Sequence, residues 1–134
     1  MTQPYSPTVR THADLIDQQM PTPTRVAFLY ARPGGPDFTA GVQETLDRTG
    51  VPWSVSRLGA QAEYRFASPA PRTGSESAAA ADDALDEYLH LFMANRGVLI
   101  TPFHNMALMS PVTTDADVDR HTEVFAEAVD ALVS

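Results

Sequence analysis

The apolar positions of the chain recur first at helical spacing and then at strand spacing. An apolar residue at every fourth position predicts a short amphipathic helix over residues 38–48, which Gly50 ends. Two runs, residues 51–58 and 62–66, follow with aromatic and β-branched residues between turn residues. Because Gly59 separates these two runs, they predict a β-hairpin.

The longest periodic stretch predicts a second helix from residues 75–77 to Arg96, with Gly97 as its stop. Its acidic first half and the arginine in its last turn both suit the helix dipole. The apolar stripe of this helix consists of Ala81, Leu85, Tyr88, Leu89, Phe92 and Met93. A buried strand over residues 98–101 and a second apolar run over residues 106–110 follow, and a proline ends each of them.

A last helix begins at Thr114, whose side chain is predicted to form a capping box with Asp117. Its apolar positions are Val118, Phe125, Val129 and Leu132. The order of elements is helix, strand, strand, helix, strand, strand, helix. This order predicts an α+β domain over residues 38–134, in which a small antiparallel or mixed sheet carries helices packed on one face.

Residues 1–37 differ in composition from the rest and hold six of the eleven prolines. Proline lacks an N–H and fixes φ, so we predict a Pro-rich, irregular leader rather than a continuous helix or a central strand. Within it, residues 25–30 (RVAFLY) can form a short strand, and residues 12–20 two helical turns. Residues 33–36 (PGGP) lack the spacing of a phosphate-binding loop and are interpreted as a linker.

The composition narrows the classes of function. The chain has 134 residues, which is typical of one domain, and its formal net charge of −8 makes nucleic acid and anionic membranes unsuitable partners. The absence of cysteine excludes disulfides, thiolate metal ligands and cysteine nucleophiles. All nine basic residues are arginine, so no lysine side chain can form a Schiff base. We expect a cytoplasmic protein, because neither a membrane span nor the apolar stretch of a signal peptide is visible.

Two histidines are candidates for chemistry. His121 follows Asp117 by four residues on the last predicted helix, but two ligands without a third are more typical of a solvated pair, and we predict no metal site. His104 and Asn105 lie in a loop between two apolar runs, where a histidine can transfer a proton or bind a polar ligand. The alternative is a structural turn in which Asn105 adopts a left-handed conformation and His104 is half-buried.

Three segments carry a resemblance to a known family. They are VPWSVSRLGAQAEYRF (51–66), DEYLHLFMANRGVLITPFHNMALMSP (86–111) and TTDADVDRHTEVFAEAVDALV (113–133). From about residue 38 to its end, the chain resembles the C-terminal small domain of a class III (fold type I) pyridoxal-phosphate-dependent aminotransferase. The branch that it resembles most is the glutamate-1-semialdehyde aminomutase-like group. The leader has no such resemblance.

The resemblance implies that most of the catalytic machinery lies elsewhere. In full-length relatives the large domain supplies the lysine that binds pyridoxal phosphate, the acidic partner of the pyridine nitrogen and the phosphate loop. We therefore expect no catalytic and no cofactor-binding residue in this chain, and no covalently bound cofactor. The resemblance places Phe103, His104, Asn105 and Met106 at the rim of the substrate pocket when a large domain is present. Aminomutases usually carry an acidic residue in this loop, so the sequence leaves a general amino-acid or amine aminotransferase open.

Two hypotheses about function remain at this point. The first is a truncated aminotransferase, inactive alone, whose exposed face meets a missing large domain or a second copy. The second is a stand-alone, non-catalytic binding or interaction module that reuses the small domain. In the second case the leader covers the face left open, with Val26–Tyr30 added as an edge strand.

Overall fold

Seven regular elements follow one another in the computed structural model, which describes residues 37–59, 61–101, 104–110 and 112–134. The elements are α1 (Phe38–Thr49), β1 (Ser54–Leu58), β2 (Gln61–Arg65), α2 (Gly74–Ala79), α3 (Asp83–Ala94), β3 (Met106–Leu108) and α4 (Asp115–Val133). The predictions for residues 1–36, Phe103 and Pro111 lie outside the described residues.

The three strands form one antiparallel sheet in the order β1-β2-β3. In the ladder between β1 and β2, Ser54 lies opposite Arg65 at one end and Leu58 lies opposite Gln61 at the other. Glu63 of β2 lies opposite Met106 of β3. Side chains alternate between the two faces of a strand, so one face of the sheet points to the helices and the other does not. The predicted α+β class and the antiparallel sheet are confirmed.

One continuous core joins the inner face of the sheet to α1, α3 and α4. The strands contribute Ala62, Tyr64 and Ala107, all at most 4% exposed. The helices contribute Phe38, Val42, Leu46, Leu89, Met93, Val118, Val124, Phe125, Ala128 and Val129. The predicted apolar positions of α4 are confirmed apart from Leu132, which is 39% exposed in the last turn.

The predicted helix ends are confirmed by local hydrogen bonds. Gly50 and Gly97 follow α1 and α3 with φ of 69° and 78°, values that glycine adopts without steric strain. Thr114 and Asp117 form the predicted capping box, since each side chain accepts a hydrogen bond from the other's backbone N–H. These ends are encoded locally, which is why the sequence alone identifies them.

The single helix predicted from residues 75–77 to Arg96 is wrong, because the chain breaks between α2 and α3. The side chain of Asp82 accepts hydrogen bonds from the backbone N–H groups of Ala84 (3.1 Å) and Leu85 (3.0 Å), and so begins a new helix. Ala81, which was assigned to the buried stripe, lies in the break and is exposed.

The strand predicted over residues 98–101 does not form. Val98 and Ile100 are buried, as predicted, but strand β2 already pairs with β1 on one side and β3 on the other. The segment therefore cannot pair with the central strand. Thr101 N–H donates a hydrogen bond to the carbonyl oxygen of Met106 in β3 at 3.4 Å.

Helices α1 and α4 pack closely where α1 has no side chain. A Cβ atom at Gly41 would lie 2.7 Å from Cγ2 and 2.8 Å from Oγ1 of Thr122. At the other end of the same contact, Arg48 donates to both carboxylate oxygens of Asp130 at 2.6 and 3.0 Å. Since residue 41 lies beside 122 and residue 48 beside 130, the two helices run parallel.

We expect Gly41→Ala to destabilise the domain by about 1–2 kcal/mol, although alanine is the better helix former. The added methyl group meets the stiff, β-branched Thr122, and overpacking costs more than the roughly 1 kcal/mol of helix propensity gained. In a Thr122→Ala background the same substitution should stabilise the domain instead. Urea unfolding of the four proteins measures the effect, and an equal loss in both backgrounds contradicts the steric explanation.

Candidate functional site

The candidate loop leads into β3 and is closed by backbone hydrogen bonds at its two ends. The backbone N–H of Thr101 donates to the carbonyl oxygen of Met106 (3.4 Å), and the backbone N–H of His104 donates to the carbonyl oxygen of Thr101 (3.3 Å). The backbone N–H of Tyr64, in the central strand, donates to the carbonyl oxygen of Asn105 at 3.0 Å. The loop is therefore held against the sheet at the position where β3 begins.

Asn105 is buried, only 5% exposed, and its side chain points into the domain. Its Nδ2 donates to Oδ1 of Asp86 on α3 at 2.6 Å. Its Oδ1 is also buried and has no hydrogen-bond partner. Asn105 thus joins the loop to α3, and it does so with a side chain that sequence reasoning assigned to the pocket rim.

His104 lies at the surface, with 53% of its side chain exposed. Its Nδ1 is 3.5 Å from Oε1 of Glu63, a β2 carboxylate that also lies 2.9 Å from Nη2 of Arg65. Because the contact to Glu63 uses Nδ1, the exposed side chain can offer its other ring nitrogen to a ligand. The neighbouring Met106 contacts Gln61, whose Nε2 is 2.7 Å from the Met106 sulfur.

The sequence analysis missed the polar partners of the loop. Gln61, Glu63 and Arg65 alternate with the buried Ala62 and Tyr64, so this period of two was a visible signal that the polar side chains share the outer face. Asp86 had no such signal, because an acidic residue in the first turn of a helix is explained by the dipole alone.

Tyr64 lies below the loop and stays neutral. Burial raises the pKa of its hydroxyl, and the Asp86 carboxylate raises it further. The hydroxyl lies 3.7 Å from the sulfur of Met93, a weak acceptor. Tyr64 therefore acts as a packing residue and not as a proton donor at neutral pH.

The interpretation of His121 as half of a solvated pair is wrong. Its ring is completely buried, with centroids 4.3 Å from Phe38 and 6.0 Å from Phe125. The carboxylate of Asp117 instead accepts hydrogen bonds from the backbone and hydroxyl of Thr114. The helical position of His121 falls on the apolar face between Val118 and Phe125, which decides its burial.

Two features are absent from the described residues. No group of three or more His, Cys, Asp or Glu side chains is arranged to hold a metal ion there. No helix in that part of the chain has the length and apolar composition needed to cross a membrane.

We expect Asn105→Ala to destabilise the domain by about 1–3 kcal/mol. The substitution removes a part-buried hydrogen bond and leaves the Asp86 carboxylate without the Asn105 amide. His104→Ala is the matched control, because the neighbouring side chain is largely exposed and should change stability by less than about 0.5 kcal/mol. Thermal or urea unfolding of both variants makes the comparison, and equal losses argue that the Asn105 contact is unimportant.

Comparison with known proteins supplies the context of this loop. No family model matches the sequence, and no curated protein matches it. Two crystal structures of a glutamate-1-semialdehyde aminomutase from Pseudomonas aeruginosa PAO1, one in complex with PMP, are 44% identical to this chain with a TM-score of 0.69. The match covers 71% of this chain and 21% of the aminomutase. This chain is similar to a small domain of the class III aminotransferases.

More distant aminotransferases share the fold of this small domain. A β-phenylalanine aminotransferase from Variovorax paradoxus matches with a TM-score of 0.64 and 23% identity, over 70% of this chain and 21% of its own. An ω-transaminase from Sphaerobacter thermophilus matches with a TM-score of 0.56 and 24% identity, over 69% and 21%. The small domain therefore spans about a fifth of the length of the enzymes that it matches.

The sequence lacks the residue type that holds the cofactor of such enzymes covalently. The chain contains no lysine, so no side-chain amine can bind pyridoxal phosphate covalently. The cation beside the candidate loop, Arg65, already contacts Glu63 at 2.9 Å. No step of cofactor chemistry can be assigned to the described side chains.

Proposed function

We propose that this chain is the small-domain part of a class III pyridoxal-phosphate-dependent aminotransferase or aminomutase, and that it transfers no amino group alone. The observation that carries the proposal is the 44% identity to an aminomutase over 71% of this chain but only 21% of the enzyme. The absence of lysine supports the second half of the proposal, because the cofactor must be bound by other residues.

The small domain would contribute the rim of a substrate pocket in the presence of a large domain. His104 is the residue that we assign to substrate contact, since its side chain is exposed and its Nδ1 lies 3.5 Å from Glu63 Oε1, which leaves the other ring nitrogen on the exposed side. Asn105 would keep the loop in place through Asp86, and Met106 would present its side chain beside Gln61. Phe103, the remaining rim residue, lies outside the described residues.

Residues 104–106 of the proposed rim are His, Asn and Met, so the rim has no carboxylate at these positions with which to select a substrate. The carboxylate nearest to His104 is Glu63, and Arg65 already neutralises it. We therefore propose a general amino-acid or amine aminotransferase ahead of a strict aminomutase. The pocket rim would then accept substrates through the His104 ring and the Met106 side chain.

The large domain would cover the outer face of the sheet. The core side chains occupy the inner face, and Leu58 and Leu108 flank Gln61 in one cross-strand row of the outer face, 81% and 39% exposed. Exposed apolar residues on one face of a sheet are typical of a surface that another domain or a second copy buries.

The claim that the isolated chain is inactive is tested by incubating the purified chain with pyridoxal phosphate and reducing the mixture with borohydride. We expect mass spectrometry to find no pyridoxyl group on any side chain, and we expect no turnover with amino-acid or amine donors. A reduced adduct on a side chain, or turnover by the purified chain, would overturn this part of the proposal.

The assignment as a small domain is tested by transplantation. Residues 37–134 would replace the matching segment of the Pseudomonas aeruginosa aminomutase, with the parent's own segment reinserted as control. We expect a folded chimera that binds the cofactor, and we expect His104→Ala to raise KM with little change in cofactor binding. His90→Ala on α3 is the matched histidine control. A chimera that folds but stays inactive with every donor contradicts the assignment.

The stand-alone binding module remains the competing hypothesis, and solution behaviour separates it from the fragment. Urea unfolding followed by Trp53 fluorescence, with sedimentation at two concentrations, reports whether the chain closes its own surface. A sharp, concentration-independent transition of a monomer favours the module. A broad transition with concentration-dependent association favours a face that needs a large domain.

A further inference from the structure

The carboxylate of Glu63 has an unmet hydrogen-bonding requirement beside the exposed ring of His104. Glu63 lies on the central strand β2, opposite Ser56 and Met106, and only 18% of its side chain is exposed. Its Oε1 is buried and accepts no hydrogen bond from the described residues. Because a buried acceptor without a donor costs free energy, an N–H group that can reach this oxygen is stabilised there.

Two side chains offer such a donor to Glu63, and only one of them can move its proton. Nη2 of Arg65 lies 2.9 Å from Oε1, which is close enough for an ion pair, but the two atoms form no hydrogen bond. Nδ1 of His104 lies 3.5 Å from the same oxygen, so a small rotation of the exposed ring brings it within hydrogen-bond distance. A neutral imidazole carries its single proton on either ring nitrogen, and the proton occupies the nitrogen that faces an acceptor.

The nitrogen that faces Glu63 determines what the exposed nitrogen of His104 can do. When Nδ1 carries the proton, Nε2 carries the lone pair and accepts a hydrogen bond from a ligand. If the proton were on Nε2, the exposed nitrogen would donate instead. Carboxylates that orient a histidine in this way are common beside metal-binding and catalytic imidazoles.

An acceptor at the pocket rim discriminates between substrates. The transferred amino group reacts at the cofactor, which the large domain would hold, so the group that meets Nε2 belongs to the other end of the substrate. A lone pair on Nε2 attracts an ammonium N–H and repels a carboxylate. The arrangement therefore favours donors with a second, distal ammonium group over dicarboxylic donors.

We propose that Glu63 is a positioning residue that holds His104 in the Nδ1–H form, and that the exposed Nε2 accepts a hydrogen bond from the distal ammonium group of a diamine or a basic amino acid. The substrate half rests on the proposed function, because it requires a large domain that completes the pocket. The tautomer half concerns this chain alone.

The tautomer is measured in the full-length chain by nitrogen–proton correlation spectra of the histidine rings at about pH 8.5, where histidine side chains are ordinarily neutral. The signals that disappear in His104→Gln identify that ring. We expect the Nδ1–H form to predominate in the wild type and the Nε2–H form, the major one in free histidine, in Glu63→Gln.

Two controls separate this effect from a general change in structure. Arg65→Gln removes the other neighbour of the same oxygen but keeps the carboxylate, so it should retain the Nδ1–H form. The ring of His90 on α3 should have the same tautomer in every protein, and Trp53 fluorescence checks that each variant is folded. A predominant Nε2–H form in the wild type, or an Nδ1–H form that survives in Glu63→Gln, overturns the proposal.

The chimera that carries residues 37–134 tests the substrate half. We expect its KM for cadaverine to be about tenfold lower than its KM for pentylamine, because hydrogen bonds to charged groups are the strong ones. Glu63→Gln should raise the KM for cadaverine towards that for pentylamine, whereas Arg65→Gln should preserve the difference.

The outcomes distinguish this inference from the function on which it rests. An active chimera with equal KM values for the two amines, or with a difference that survives Glu63→Gln, overturns the substrate half alone. A chimera that is inactive with every donor overturns the proposed function and the substrate half with it. The tautomer measurement still decides the role of Glu63, because it needs no large domain.

Discussion

Lowering the pH from 7 to 4.5 is expected to reduce the free energy of unfolding by roughly 2–3 kcal/mol through His121 alone. Complete burial lowers the pKa of His121 from 6.5 to about 3. The folded state therefore binds its proton less readily than the unfolded state does. The contribution of the neutral, buried His121 to the free energy of unfolding is fully present above pH 6.5. It is lost as the pH falls from 6.5 towards 3.

The measurement is urea unfolding at the two pH values, in the wild type and in His121→Leu. Leucine has a similar volume and needs no hydrogen bonds, whereas both ring nitrogens of His121 are buried without a partner. We expect the variant to match or exceed the wild type at pH 7 and to lack the 2–3 kcal/mol acid loss. His90→Gln is the control, because it removes a half-buried histidine and should leave the acid loss of the wild type in place. An acid loss of the same size in His121→Leu would show that other groups cause it.

Phe125→Ala is expected to remove about 3–5 kcal/mol of stability. The ring is completely buried, with its centroid 4.9 Å from Tyr64 and 6.0 Å from His121. It therefore joins α4 to the centre of the sheet, and the domain cannot fill so large a cavity by small shifts. Since single domains are stable by only about 5–15 kcal/mol, much of this variant should be unfolded at moderate urea concentrations.

Leu132→Ala is the matched control on the same helix. Leu132 is 39% exposed in the last turn, so its truncation should cost less than about 1 kcal/mol. Trp53, the single tryptophan, is buried against Phe66 at 4.8 Å and reports unfolding in both variants. Similar losses for the two substitutions would mean that α4 does not carry the core in solution.

Local signals in the sequence decide how much of this fold could be predicted. Gly50, Gly97 and the Thr114–Asp117 pair mark helix ends through their own backbone chemistry, and the structure places all of them as expected. Asp82 carries a similar signal, but it stands in an alanine-rich run that favours helix on both sides. The continuous propensity hid the capping residue that divides α2 from α3.

Non-local contacts explain the remaining differences. Residues 98–101 have the pattern of a buried strand, yet a strand needs a ladder of hydrogen bonds to a neighbour, and the central strand β2 is already paired on both sides. The roles of His104 and Asn105 separate for a similar reason. Adjacent side chains in a loop point in different directions, and only the position of Asp86 on α3 shows that Asn105 points inward.

The pairing of the first described helix with the last one has a consequence for synthesis on the ribosome. Gly41 packs on Thr122 and Arg48 pairs with Asp130, so α1 finds its principal neighbour some eighty residues later in the chain. The hairpin of β1 and β2 can form early, because its contacts are local. The apolar face of α1 has to wait until α4 has left the exit tunnel. We infer that the nascent chain exposes this face until α4 has emerged from the ribosome, which makes it a natural target for chaperones before then.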